Sequence, residues 1–172
     1  MSGSGLTAAI GSTAYNTSLG GAVYVYKRTA GKYIFAQTLF PESSSFNFRF
    51  GVAVALSLDG GTLVVGADGV TVAPYGRASV YNLTAKGAYG LVQVLTASDN
   101  VANGSNANFG ASLALSGDGG VLVVGSAGHT NGVSMNSGVV YLFVRAGYLY
   151  SQATMITSDD LANSDKCVFF LK

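Results

Sequence analysis

His129 is the only histidine of the chain, and histidine is the residue type best suited to acid–base chemistry near neutral pH. It stands in residues 126–132 (SAGHTNG), whose composition predicts a loop. Serine and aspartate are available for a Ser-His-Asp arrangement, but no Gly-x-Ser-x-Gly elbow at a strand-to-helix turn accompanies them. A metal site would need further imidazoles or thiolates. We therefore expect His129 to be a solvated loop residue without a catalytic role.

Two aspartates, Asp59 and Asp118, each open an Asp-Gly-Gly turn between two apolar runs. An aspartate in this position stabilises a tight turn through its side chain. Calcium takes about 6–8 oxygen ligands, usually several carboxylates among them, and one carboxylate per turn falls short of that. We expect no metal and no cofactor, with a weak calcium site at Asp59 and Asp118 as the alternative.

The remaining candidates for chemistry are sparse. Asp159-Asp160 is the only pair of adjacent carboxylates, and neighbouring loop residues rarely converge on one glycosidic bond. Cys167 lies in an apolar run, which favours a buried thiol, with an intermolecular disulfide as the alternative. Asn-x-Ser/Thr triplets begin at Asn16, Asn82 and Asn103. Asn82 falls in a predicted strand, so Asn16 and Asn103 are the glycosylation candidates if the protein is secreted. No catalytic residue is predicted.

Composition excludes several classes of protein. Of 172 residues 49% are hydrophobic and 10% charged, and the formal net charge is +1, which does not fit a disordered chain. Nine basic against eight acidic residues provide no basic surface for nucleic acid. One cysteine cannot form a disulfide framework. Residues 1–10 lack the features of a signal peptide, and no apolar run approaches the ~20 residues of a membrane helix, so we expect no membrane insertion.

An internal repeat dominates the chain. Residues 50–67 (FGVAVALSLDGGTLVVGA) return as residues 109–126 (FGASLALSGDGGVLVVGS). The recurring positions of this motif are Phe50, Gly51, Asp59, Gly60 and Gly66, followed by Phe109, Gly110, Asp118, Gly119 and Gly125. Downstream, Val80-Tyr81 returns as Val140-Tyr141 and Ser98-Asp99 as Ser158-Asp159, both 60 residues later. Such a period indicates a repeat architecture.

A weaker copy precedes these two. Ala22-Val23-Tyr24 matches Ser79-Val80-Tyr81, and the spacing from Tyr33 to Gln37 recurs from Tyr89 to Gln93 and from Tyr148 to Gln152. Aromatic residues alternate along the predicted third strands, which favours packing between units over a sugar-stacking surface. These aromatic positions are Tyr24, Tyr26, Tyr81, Tyr141 and Phe143.

Each unit is predicted to contain four antiparallel strands, because alternating apolar runs are separated by Asp-Gly turns and longer Gly, Ser and Asn loops. Four strands in ~60 residues correspond to one propeller blade, so we predict an all-β, β-propeller-like fold. Residues 1–49 form a partial blade with strands 2–4, residues 50–108 and 109–166 full blades, and residues 167–172 a terminal strand that could complete the first blade. Because propellers typically have 4–8 blades, an open arc or completion by other chains is expected.

The repeated pattern FG-x-A/S-x-ALS-x-DGG-x-LVVG-A/S, followed by VY, an aromatic, Gln and Ser-Asp, resembles the FG-GAP repeat of integrin α-subunit propellers. It is closer to the non-calcium variant found in multi-repeat extracellular and surface proteins. The resemblance implies a non-catalytic interaction or structural module of an oligomeric, adhesive assembly at the cell surface or outside the cell. It implies no enzyme; a lectin-like carbohydrate-binding module is the alternative.

Binding residues are expected on one end of the blades, where the long loops emerge. The loops between strands 2 and 3 (about 11–21, 67–77 and 126–138) share that end with the loops between blades. Long loops on a rigid scaffold are where binding residues concentrate. The candidate binding residues are Tyr15, Tyr75, Arg77, His129 and Asn131. The expected partners are other protein chains, a second copy of this chain among them, and glycans.

Overall fold

The computed structural model describes residues 1–14, 20–42, 49–69, 75–99, 106–129 and 138–157. Eleven strands in these ranges form three antiparallel sheets. The first sheet has the order β1 (Thr7–Ser12), β2 (Ala22–Thr29), β3 (Lys32–Leu39). The second has the order β4 (Phe50–Leu56), β5 (Thr62–Ala67), β6 (Arg77–Leu83), β7 (Tyr89–Leu95). The third has the order β8 (Asn106–Leu115), β9 (Val121–His129), β10 (Val139–Ala146), β11 (Leu149–Ile156).

The predicted all-β, propeller-like fold is confirmed. Every sheet is a meander in which consecutive strands pair, as the hairpin signals in the sequence require. No helix occurs in the described ranges, and therefore none that could cross a membrane. The predicted terminal strand in residues 167–172 lies outside the described part of the chain.

Two hydrophobic cores hold the sheets together face to face. The core between the first and second sheets contains Val23 and Val25 from β2 and Leu63, Val65 and Tyr81 from the second sheet. The core between the second and third sheets contains Val64, Val80, Leu122, Val124, Phe109, Tyr141 and Phe143. Adjacent residues of β5 therefore point into different cores, because successive side chains of a strand point to opposite faces. The middle sheet is buried on both faces, which explains the low charge content of the chain.

The Phe-Gly pair that opens β4 and β8 fixes each sheet to the preceding one. Phe50 and Phe109 are fully buried, and each forms an isolated parallel bridge to a glycine of the preceding sheet. Gly51 and Gly110 both have φ of +90°, a conformation that L side chains rarely adopt. A Cβ atom on Gly110 would lie 2.3 Å from the carbonyl oxygen of Arg77. The motif therefore requires glycine because two backbones meet there.

Each Asp-Gly-Gly turn is closed by its own aspartate. The Asp59 carboxylate accepts hydrogen bonds from the Ser57 hydroxyl at 2.6 Å and the Gly61 amide at 2.8 Å. Asp118 accepts the same bonds from Ser116 and Gly120 at 2.6 and 2.9 Å. The Tyr89 and Tyr150 hydroxyls donate to the carbonyl oxygens of Gly60 and Gly119, which ties the outer strand of each sheet to its first turn.

Glutamine side chains join the outer strands of neighbouring sheets. The Gln37 amide spans the sheet boundary, donating to the Tyr89 carbonyl at 3.0 Å and accepting from the Tyr89 amide at 2.8 Å. Gln93 makes the same two bonds to Tyr150 at 2.9 and 2.8 Å. Tyr150 thus takes the place of Tyr89 in the third sheet, and the sequence match between Tyr89 and Tyr148 is wrong.

The strand pairing shows a similar offset in β10. Tyr26, Tyr81 and Phe143 each directly follow the register shift in the third strand of their unit, and pair with Ala8, Leu63 and Leu122, respectively. Tyr81 and Phe143 are therefore structurally equivalent, although the sequence alone aligns Tyr81 with Tyr141. Tyr81 lies 18 residues after its partner Leu63, whereas Phe143 lies 21 residues after its partner Leu122, so the third sheet has three more residues between these strands. Pairing register, and not sequence identity, therefore determines which side chain enters the core.

Candidate functional site

The structure describes three of the five predicted binding residues. Tyr75 is half-buried just before β6, Arg77 is the first residue of that strand, and His129 is the last residue of β9. All three lie at the end of their sheet where the long loops emerge. Tyr15 and Asn131 lie outside the described residues, as do the glycosylation candidates Asn16 and Asn103, and Cys167.

The prediction of a solvated loop environment for His129 is wrong. Its exposed fraction is 4%, and it pairs with Asn106 in the β8–β9 hairpin. The loop signals of Ser126, Ala127 and Gly128 are overridden because β8 extends N-terminally of Phe109 and offers those residues pairing partners. β9 consequently has nine residues, against six in β5. This extension carries the imidazole to the junction between the second and third sheets.

Asp99 is the centre of a polar cluster at this junction. It follows β7 in the connection to the third sheet, and its Oδ2 atom lies 2.9 Å from His129 Nε2. Its Oδ1 atom accepts a 2.7 Å hydrogen bond from the Tyr141 hydroxyl. Tyr141 is fully buried, whereas 34% of the Asp99 side chain is exposed. A buried imidazole and a buried phenol therefore hold a carboxylate that faces solvent.

Burial and hydrogen bonding act on this cluster in opposite directions. Partial burial by itself would raise the pKa of Asp99, but the hydrogen bonds from Tyr141 and His129 outweigh it and the pKa is lowered. Burial, followed by the hydrogen bond to Asp99 and the charge of that carboxylate, raises the pKa of Tyr141 strongly. At neutral pH the cluster thus contains an ionised carboxylate and a protonated phenol, an arrangement that can orient a water molecule and accept its proton.

Few features of the sequence indicate this cluster. Tyr141 was expected only to pack between sheets, and Asp99 stood out only because Ser98-Asp99 recurs as Ser158-Asp159. A comparable acidic residue, Glu42, follows the first sheet, where burial and then the Glu42 charge raise the pKa of Tyr81. A carboxylate near a buried tyrosine of the next sheet is thus seen at both junctions. The histidine distinguishes the second junction.

An ion pair between an arginine and an aspartate lies at the same end of the second sheet. Arg49 Nη1 is 3.2 Å from Asp68 Oδ2, and Asp68 is 7% exposed. Burial raises the pKa of Asp68, an effect that the Arg49 charge offsets only in part. The Oδ1 atom of Asp68 has no hydrogen-bond partner among the described residues. Ionisation of Asp68 therefore costs folding free energy that its pairing with Arg49 recovers only in part.

The opposite end of the sheets holds the two turn aspartates. Asp59, Asp118 and Arg145 line a cleft of about 200 Å³, together with Thr62, Asn82 and Tyr148. The Arg145 guanidinium donates to Thr62 Oγ1 at 3.2 Å and to the Gly147 carbonyl at 2.9 Å. Hydrogen bonds from Ser57 and then Gly61 lower the pKa of Asp59, as those from Ser116 and Gly120 do for Asp118. Both carboxylates are thus already engaged in their own turns.

No cluster of three or more His, Cys, Asp or Glu side chains that could hold a metal ion occurs within the described ranges. A larger groove of about 460 Å³ lies between the inner strands β4 and β8. Apolar side chains such as Val54, Leu56, Leu113 and Leu115 line it. Acid–base chemistry is therefore offered by the junction at Asp99 and not by this groove.

Comparison with known proteins confirms the family resemblance of the repeat. Residues 89–143 match the family model described as FG-GAP repeat. This segment runs from β7 to β10 and includes Asp99, His129 and Tyr141. None of the curated proteins compared with the chain matches it.

Solved structures share the fold at low sequence identity. A crystal structure of a protein from Lactobacillus plantarum is 20% identical and has a TM-score of 0.60; the match covers 99% of this chain and 43% of that one. The periplasmic gluconolactonase of Pseudomonas aeruginosa is 18% identical with a TM-score of 0.54, and the match covers 85% of this chain and 36% of that one. The chain therefore spans less than half the length of either structure.

These similarities correct the functional expectation. A non-catalytic interaction or structural module, with a lectin-like module as alternative and no enzyme activity, was predicted from the repeat family. The gluconolactonase contradicts that prediction, because a solved structure with this fold is an enzyme. The prediction failed because the repeat motif describes how the sheets pack, and chemistry depends on the residues at their ends.

Proposed function

We propose, on the premise that this propeller-like chain carries an FG-GAP repeat, that it acts as a hydrolase on a lactone or similar cyclic ester, with Asp99 as the catalytic residue. The observation that carries the proposal is the partly exposed Asp99 carboxylate. Its two oxygens lie 2.9 Å from Nε2 of buried His129 and 2.7 Å from the hydroxyl of buried Tyr141. The similarity to a gluconolactonase supports the choice of substrate class.

The reaction needs a base, a water molecule and a carbonyl carbon. Asp99 accepts a proton from water while the water oxygen adds to the carbonyl carbon of the lactone. When the ring C–O bond breaks, the leaving oxygen takes that proton back. One lactone and one water thus give one hydroxy acid, and Asp99 returns to its ionised form.

His129 and Tyr141 are positioning residues in this scheme. Their hydrogen bonds fix the carboxylate in one orientation, which lowers the cost of aligning the attacking water. They also lower the pKa of Asp99, so the carboxylate remains ionised from neutral into mildly acidic solution. We therefore expect hydrolysis to persist as the pH falls toward about 4, the ordinary range of an aspartate, and to fail only below it.

The proposal also concerns where the protein works. The repeat of this chain resembles the FG-GAP repeats of surface proteins, and the similar gluconolactonase is periplasmic. Both support a location outside the cytoplasm, extracellular or periplasmic. Detection of the protein in the periplasmic or secreted fraction of its cells would test this part separately.

The experiment is a pH-stat assay of glucono-lactone opening by the purified chain, with a protein-free blank to subtract spontaneous hydrolysis. Asp99→Asn is expected to lower the protein-dependent rate about 100-fold or more, the range of a lost general base. Tyr141→Phe should shift the acidic limb of the pH–rate profile to higher pH, because it removes one of the hydrogen bonds that lower the Asp99 pKa.

Matched controls come from the second sheet and the opposite end. Tyr81→Phe makes the same change in another buried tyrosine, and Asp118→Asn makes the same change in another hydrogen-bonded carboxylate. Neither should alter the rate or the pH profile. A wild-type rate equal to the blank, or equal activity of Asp99→Asn and Asp118→Asn, would refute the proposal.

A further inference from the structure

The interface between the first and second sheets and the interface between the second and third sheets are built from equivalent strand positions. We call the side of a sheet that faces the preceding sheet its backward face, and the side that faces the following sheet its forward face. On the backward face, Leu63, Val65 and Tyr81 of the second sheet correspond through the pairing register to Leu122, Val124 and Phe143 of the third. All six are at most 4% exposed.

The first sheet has the same face without a described sheet in front of it. The equivalent residues are Ala8, Ile10 and Tyr26, which pair across β1 and β2 as their counterparts do. Ile10 is 55% exposed, and Tyr26 is half-buried with its ring packed edge-on against Phe35, which is 56% exposed. Positions that form the core elsewhere in the chain are here on the surface.

The forward face of the third sheet is exposed in the same way. Val64 and Val80 of the second sheet are fully buried under the third sheet, and their counterparts are Val123 and Leu142, both half-buried. Where the second sheet has Thr62 and Asn82, the third has Val121 and Val144, which are 38% and 41% exposed. The exposed face is thus more apolar than the buried one that it matches.

We propose that a second copy of this chain covers these faces, with the forward face of the third sheet of one copy on the backward face of the first sheet of the other. The contact would continue an interface that the chain already makes twice between its own sheets. Val121, Val123, Leu142 and Val144 carry no charge and would meet the apolar and aromatic side chains of Ile10, Tyr26 and Phe35. Contiguous apolar surface of this kind marks an association site.

The number of sheets in a dimer fits a propeller. The three sheets of the described residues give six in two copies, within the 4–8 blades typical of propellers. Head-to-tail contacts that close leave no end face exposed. The dimer would contain two such interfaces, which together bury more apolar surface than one contact could. The inference is independent of the proposed hydrolase activity, because Asp99, His129 and Tyr141 all belong to one chain.

The test is the solution mass of the whole chain by light scattering and sedimentation velocity. We expect twice the chain mass of 17.5 kDa. The forward-face variant Val121→Glu with Val144→Glu, and the backward-face variant Ile10→Glu with Phe35→Glu, should each sediment as the 17.5 kDa monomer. These side chains are exposed, so the changes should leave the fold intact, and circular dichroism would check this.

The control is Tyr148→Glu, which places the same charge on a 75% exposed aromatic residue in the β10–β11 turn. It should remain dimeric. Head-to-tail pairing further predicts that an equal mixture of the two face variants recovers dimer, because one pair of intact faces is then available. A monomeric wild-type chain would overturn the proposal. Loss of dimer in only one face variant would overturn the head-to-tail arrangement.

Discussion

Replacement of Gly110 by alanine isolates the cost of the backbone contact that defines the Phe-Gly motif. An alanine at φ of +90° carries roughly 1–2 kcal/mol of backbone strain. Its Cβ would also lie 2.3 Å from the Arg77 carbonyl oxygen and 3.3 Å from the Ala67 amide nitrogen. A C···O contact normally measures about 3.3–3.6 Å, so two backbones would have to separate by about 1 Å. Overpacking of this kind costs roughly 1–3 kcal/mol, which gives a total of about 2–5 kcal/mol.

Gly147→Ala is the matched control. Gly147 also has positive φ, +64°, but a Cβ there meets nothing within 4 Å. Both substitutions restrict the unfolded chain equally, so that effect cancels in the comparison. Urea unfolding should show Gly110→Ala to be less stable than Gly147→Ala by about 1–3 kcal/mol, the contact contribution alone. Equal free energies of unfolding would show that the close approach of the second and third sheets does not contribute to stability.

Three further predictions concern the core and the carboxylates of Asp99 and Asp68. Phe109→Ala should cost about 3–5 kcal/mol in urea unfolding, because its fully buried ring packs edge-on against Tyr141 and Phe143; a cost below 1 kcal/mol would contradict this packing. The folded pKa of Asp99 is lowered, so its stabilisation is present above the unfolded pKa of about 3.9 and is lost as the pH falls through the folded value. Asp99→Asn should abolish that acid-dependent loss and cost about 1–2 kcal/mol at pH 7, a figure discounted for the one-third exposure of the carboxylate; an unchanged pH profile would contradict it. The folded pKa of Asp68 is raised, so its contribution is present below about pH 4 and is lost as the pH rises through the folded value. Asp68→Asn should therefore melt no lower than the wild type at pH 7, and a clear drop in melting temperature would show that the ionised pair with Arg49 stabilises the fold.

Much of the fold could be predicted from the sequence because the repeat carries redundant signals. The Asp-Gly-Gly turns and the Phe-Gly pair recur at constant spacing, and each has a single local explanation. The hairpins need residues that tolerate positive φ, and the sheet contacts need a residue without a side chain. These requirements restrict the residue type at each position, so the sequence alone reveals them.

Register within the third sheet could not be predicted in the same way. The sequence aligns Tyr81 with Tyr141 and Tyr89 with Tyr148, whereas the structure places Phe143 and Tyr150 at those positions. Both choices leave an aromatic residue in the alignment, so residue type could not decide between them. Only pairing across the sheet distinguishes the two, because a strand shifted by two residues presents the same face.

The candidate site was missed for a related reason. His129 lies among Gly, Ser, Thr and Asn residues that are typical of loops, and Asp99 is 30 residues away in another connection. Their contact depends on how far the β8–β9 hairpin extends beyond Phe109, which is a property of pairing and not of local composition. Long-range polar contacts of this kind become visible only when the sheets are assembled.

The most direct test of the proposed function is the rate of glucono-lactone opening by the wild-type chain and by Asp99→Asn, measured side by side at pH 6.5 against a protein-free blank. We predict acceleration above the blank by the wild type and a loss of about 100-fold or more in the variant, as removal of a general base requires. Equal rates for the two proteins, or no acceleration by the wild type, would contradict a catalytic role for the Asp99 site.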